Sequence, residues 1–117
     1  KSKFGRYLLK FYNFIPHQAV FIKKEVFDKF GYFNTNLSSA MDVDLWLRIK
    51  DHTNWGFLNR IISNFIIHPD SQSANSNKIE ENRGNYYAVQ KNRLNAAESI
   101  AARAINWLVY KKYKNFR

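Results

Sequence analysis

The stretch SAMDVDLWLRI, residues 39–49, decides how this chain is read. Met41, Val43, Leu45, Leu47 and Ile49 alternate with Asp42, Asp44, Trp46 and Arg48, which is the period of a half-buried strand. The same residues also fit a helix. Met41, Leu45 and Ile49 stack at i,i+4 with Trp46 beside them, and Asp44 and Arg48 stand at the spacing of a helical ion pair. Ser38 or Ser39 is placed to cap such a helix, and aspartate is disfavoured inside strands, so the stretch reads as a helix. Two carboxylates then sit among large apolar side chains in a chain with nine acids. Burying a charge is costly unless it is paired, so either both acids face water or one belongs to a site that uses it.

Working outward, AVFI (19–22) follows Pro16 and reads as a short buried strand. KKEVFDKF (23–30) places Val26, Phe27 and Phe30 at helical spacing, and Gly31 is positioned to stop that helix. The Asn-, Ser- and Thr-rich residues 31–40 form a loop that leads into the acidic helix. Residues 55–68, WGFLNRIISNFIIH, read as two short strands or one bent strand, and 68–77 as a polar loop. From about Lys78 to Tyr113 the chain reads as largely helical. Its apolar stripe includes Ile79, Tyr86, Val89, Leu94, Ile100, Ile105 and Leu108, and Gly84 marks a point where it could break in two. This pattern predicts an α+β fold, short β-strands with helices, in which region 1–76 is followed by a helical, basic-aromatic segment, 77–117.

Composition narrows the chemistry. With 117 residues, 45% hydrophobic and 17% aromatic, the chain can bury a core. It has no cysteine, which removes disulfides, thiolate nucleophiles and cysteine zinc sites. No apolar run is long enough to cross a bilayer and no signal pattern opens the chain, so a soluble or membrane-peripheral protein is expected. The formal charge of +10 favours anionic partners. Half of it comes from Arg103, Lys111, Lys112, Lys114 and Arg117 in a tail without acids.

Taken as one unit, AVFIKKEVFDKFGYFN (19–34) and MDVDLWLR (41–48) resemble the acceptor half of family 2 glycosyltransferases of the GT-A type. Those enzymes show a hydrophobic strand, a basic helix, a GxF(D/N) turn and a segment like ED-x-D-L-W-L-R. The likeness spans residues 13–75, with Met41 standing where the family has Glu. It implies the C-terminal portion of a GT-A-type α/β fold. It also implies that Asp42 is the catalytic base of an inverting transfer from a nucleotide-sugar to an acceptor hydroxyl, in cell-surface polysaccharide synthesis in bacteria. A nucleotide-binding half would precede Lys1 and carry the DxD motif that holds Mn²⁺ or Mg²⁺, so the chain alone would lack the donor site. The DVD triplet at 42–44 is not that motif, because it precedes LWLR at a helix start instead of following a strand. Without the surrounding pattern, the same triplet reads as a solvated helix N-terminus favoured by the helix dipole.

Around Asp42, the candidate substrate-binding residues are His17, Gln18, Asp44, Trp46 and Arg48. His17 and Gln18 could contact the acceptor or donor phosphates, or be structural. His68 is a candidate metal ligand against the alternative of a strand-end histidine before a Pro turn; His52 has no such context. The tail interleaves Trp107, Tyr110, Tyr113 and Phe116 with lysine and arginine. That composition suits a helix packed on the domain with solvated lysines, or an anionic membrane surface near a lipid-linked or saccharide acceptor. Nucleic acid is the weaker alternative, since no nucleic-acid-binding motif is present. A small basic binding domain without chemistry is the competing reading of the whole chain. The expected location is cytoplasmic, at the inner face of the membrane if peripheral, and the exposed apolar surface of a severed domain predicts self-association.

Overall fold

The computed structural model describes residues 3–66, 68 and 76–114. Among these residues five α-helices follow one another: α1 Lys3–Leu8, α2 Lys24–Phe30, α3 Met41–Ile49, α4 Ser76–Arg93 and α5 Ala96–Lys114, with a 3₁₀ turn at His17–Ala19. The ambiguous stretch is a helix, and it is the central one. Val43, Asp44, Leu45, Trp46, Leu47 and Ile49 are all buried in α3, so it is enclosed almost all round. On one side Leu45, Trp46 and Ile49 pack with Leu9, and Ile15, Val20, Ile22, Val26, Phe27, Phe30 and Trp55 close around them. On the other, Val43 and Leu47 meet Val89 of α4, flanked by Leu37, Ala40, Tyr86 and Leu94. Segment 77–117 therefore shares its core with α3.

The expected α+β fold is corrected here: no strand occurs among the described residues. Val20 has extended angles (φ −113°, ψ 129°), and Val20 and Ile22 turn inward while Phe21 is exposed, so the period of two is present. Among the described residues no strand lies beside it to pair with. Residues 56–66 likewise run without helix or ladder and expose Phe57, Leu58, Ile61, Phe65 and Ile66. β-Branched and aromatic residues favour an extended backbone, but a sheet also needs an edge to pair with, and α2, α3 and the α4–α5 hairpin offer none.

Local chemistry sets the helix ends. The last carbonyls around α3 are met by Arg6, whose Nη1 donates to Lys50 O (3.3 Å) and Thr53 O (3.4 Å), a cation at a helix C-terminus. α4 passes through Gly84, where the sequence suggested a break. One glycine costs only about 1 kcal/mol against alanine, less than giving up a packed helix. The break lies at Leu94–Asn95 instead. Asn95 Oδ1 accepts from Glu98 N (2.9 Å) and Glu98 Oε2 accepts from Asn95 N (3.4 Å), a reciprocal cap that starts α5. The other oxygen of Glu98 takes Lys10 Nζ at 2.7 Å.

That ion pair gives a pH-dependent contribution. The hydrogen bond from Lys10, aided by the cap at Asn95, holds the Glu98 carboxyl below its usual value, outweighing desolvation. A carboxyl lowered on folding makes the unfolded chain bind more protons, so its stabilisation is complete above the unfolded value and fades as pH falls through the folded one. Both side chains are partly solvated, which keeps the effect within about 1 kcal/mol. Glu98→Gln should flatten the acid limb of urea midpoint against pH; an unchanged limb would remove the pair from the account.

α2 ends at Gly31, whose φ of +81° and ψ of 162° suit glycine alone, with its N–H donating to Phe27 O at 2.8 Å. A Cβ there would stand 3.3 Å from Arg48 Nη1. Gly31→Ala should cost about 1–3 kcal/mol in chemical denaturation, and a loss of a few tenths would show that the turn relaxes freely.

Candidate active site

The site begins at a strained residue. Ala40 takes left-handed angles (φ 60°, ψ 18°) immediately before α3, an uncommon state for a side chain with a Cβ. Neither Ser38 nor Ser39 caps the helix, contrary to expectation, because both are taken by α4. Ser38 Oγ donates to Glu81 Oε1 (2.8 Å), while Asn85 Nδ2 donates to Ser38 Oγ (2.7 Å) and Ser39 Oγ (3.0 Å). The loop is thus stapled to α4, and Asp42 is delivered in the first turn of α3, where the helix dipole favours a carboxylate.

A second segment is brought to Asp42 by the α4–α5 hairpin. Gln90, fully buried, donates to Lys10 O (2.9 Å), and Asn106 Nδ2 donates to Phe11 O (2.9 Å) and Ala102 O (2.7 Å). These bonds fix residues 10–11 and so place Asn13. The Asn13 amide is oriented at both ends: Oδ1 accepts from Ile15 N (3.2 Å), and Nδ2 donates to Asp42 Oδ2 (3.2 Å). His17 Nδ1 lies 3.8 Å from the same oxygen, beyond hydrogen-bond reach, on a side chain that is mostly exposed.

These groups line a cavity of about 750 Å³, within the usual size of small-molecule sites. Val20, Ile22, Phe27, Phe33 and Trp46 form its apolar wall; Asn13, His17, Asp42, Asn82, Tyr86 and the two serines supply polar groups. Burial pushes the Tyr86 phenol far above its usual value of 10.0, and the Asp42 carboxylate adds to the rise, so Tyr86 stays a neutral donor. Its hydroxyl faces the Asn13 backbone without a well-formed hydrogen bond, and the Trp46 indole N–H is also buried without a partner among the described residues.

Of the residues singled out from the sequence, the cavity gathers Asp42, His17 and Trp46. Gln18 sits in the same 3₁₀ turn as His17, exposed and outside the lining. Asp44 and Arg48 are occupied elsewhere. Asp44 accepts from Arg48 Nε (3.0 Å), the pair expected from the spacing, and from Arg93 Nε (2.8 Å). Arg48 continues to the carbonyls of Phe30, Gly31 (3.2 Å) and Tyr32 (2.7 Å), fastening the end of α2. His68 is exposed, and among the described residues no group of three His, Asp or Glu side chains could hold a metal ion. The Mn²⁺ or Mg²⁺ implied by the resemblance therefore has no ligand set among the described residues. Phe116 and Arg117 of the tail, and most of loop 68–77, lie outside the described residues. Asn13, Asn82 and Tyr86 carried no local signal that could have marked them.

No protein-family model, curated protein or solved structure matches this chain.

Proposed function

We propose that this chain is the acceptor-side part of a family 2 glycosyltransferase, working as an inverting enzyme on a nucleotide-sugar. The observation that carries the reading is the placement of Asp42: the residue singled out by the motif lines an apolar-walled cavity, with its carboxylate steered by Asn13. The Asn13 amide and the His17 ring both lie on the Oδ2 side of Asp42, and Oδ1 is the oxygen assigned to receive the proton. An acceptor hydroxyl in the cavity gives its proton to Oδ1 as its oxygen attacks the anomeric carbon. The bond from that carbon to the diphosphate breaks on the opposite face, and the nucleoside diphosphate leaves with the electron pair. One displacement inverts the anomeric configuration.

The apolar wall limits water, the competing acceptor. Tyr86 and Trp46 border the cavity and add aromatic surface to its wall. The donor-binding groups and their divalent metal belong to the intact protein. The test is to incubate the intact protein with UDP-, GDP- and dTDP-sugars and a saccharide or lipid-linked acceptor, and to read product configuration by NMR. Transfer with inversion is the expected result, and transfer with retention would sink the single-displacement mechanism.

A further inference from the structure

The helix α5 is turned inside out. Over its first three turns the inner face is small and polar: Ala102 is fully enclosed, Ser99 is buried, and Asn106 is bonded to Phe11 O, with Val109 and Tyr110 half-buried beyond them. Ile100 and Leu108, which the sequence placed on the apolar stripe, point the other way, 70% and 58% exposed, and Trp107 of the basic-aromatic tail is 49% exposed beside them. Ile100, Ala104, Trp107 and Leu108 fall at i, i+4, i+7 and i+8, one continuous stripe along the helix.

Charge says what meets that stripe. Arg103, Lys111 and Lys112 are exposed beside it, and Lys111 Nζ rests 5.0 Å from the Trp107 ring centre. The single acid in the helix, Glu98, is held by Lys10. From the neighbouring helix, Glu80 reaches Tyr110, and there it is already paired with Arg83. A cationic rim around Trp and Leu, on a chain of formal charge +10, complements an anionic surface with an apolar interior. We infer that the outer face of α5 docks on anionic lipid membrane, with Trp107 and Leu108 entering the headgroup boundary and Arg103, Lys111 and Lys112 on the lipid phosphates. This inference does not depend on the transfer chemistry at Asp42.

The test is flotation of the full protein with phosphatidylcholine vesicles, with and without added phosphatidylglycerol, while Trp emission is followed. Binding should require the anionic lipid, weaken with salt and shift the emission to the blue. Trp46 is buried and Trp55 half-buried, so Trp107→Phe should remove most of that shift while leaving the fold intact by circular dichroism. Leu108→Glu and the pair Lys111→Glu/Lys112→Glu should each lower partitioning about tenfold or more. Equal binding to neutral vesicles, or a blue shift that survives Trp107→Phe, would overturn the assignment. So would tighter, salt-sensitive binding to single-stranded RNA, or a dimer in light scattering that Leu108→Glu dissolves.

Discussion

Asp42→Asn in the intact protein is expected to lower the transfer rate by about 10²–10⁴, the usual loss when a positioned general base is removed. The amide keeps the volume of the carboxylate and can still meet Asn13, so the cavity should persist. Donor binding should be nearly unchanged, because the base acts on the acceptor proton. The loss should appear in kcat with little change in the donor KM, the mark of a group that acts in the transition state. Asn13→Ala provides a graded companion: it removes the group that steers Asp42 and leaves the base, so it should cost less than Asp42→Asn. If Asp42→Asn retains wild-type turnover, the base assignment fails, whatever chemistry the cavity supports. If both variants lose donor affinity to the same extent, Asp42 is a binding residue.

How much of this was legible in the sequence follows from the range of each interaction. Helix α3, the stop at Gly31 and the Asp44–Arg48 pair rest on contacts within one turn, and all three are present. The Asn95–Glu98 cap was equally local; the sequence NAAE contains it, and it outweighed Gly84 in deciding where the long helix divides. The strands failed for the opposite reason. Val20 and Ile22 encode an extended backbone, but pairing is a property of two segments in register, and among the described residues no two are paired. The site was half legible. The motif marked Asp42, whereas Asn13 meets it from 29 residues away and Tyr86 comes from another helix, separations that no local pattern encodes. The inverted face of α5 was hidden because a stripe of the right period says that a helix has an apolar side, not that this side faces the core.

The neighbouring acid should behave in the opposite way: Asp44→Asn is expected to destabilise the chain by about 3 kcal/mol while leaving the cavity chemistry to Asp42. The Asp44 side chain is 4% exposed, and its two oxygens separately hold Arg48 and Arg93, the second across 49 residues. An amide has one oxygen and no charge, so at least one of the two guanidiniums, Arg48 (15% exposed) or Arg93 (39% exposed), loses its anionic partner. The cost stays at the lower end of the range for broken buried pairs. Arg93 is 39% exposed and can rehydrate, and Arg48 keeps the carbonyls at the end of α2. Small domains are stable by about 5–15 kcal/mol, so the loss is large enough to move a urea midpoint far. Coupling should be visible in a double-mutant cycle with Arg93→Met, whose cost should shrink once Asp44 is already Asn. A loss below about 1 kcal/mol, or additive costs in the cycle, would mean that this network does not hold α2, α3 and α4 together. The expected pair of outcomes, rate without stability for Asp42 and stability without rate for Asp44, accounts for two acids set among apolar residues. Asp44 is buried because two arginines neutralise it, and Asp42 is tolerated because the first turn of α3 opens into a cavity.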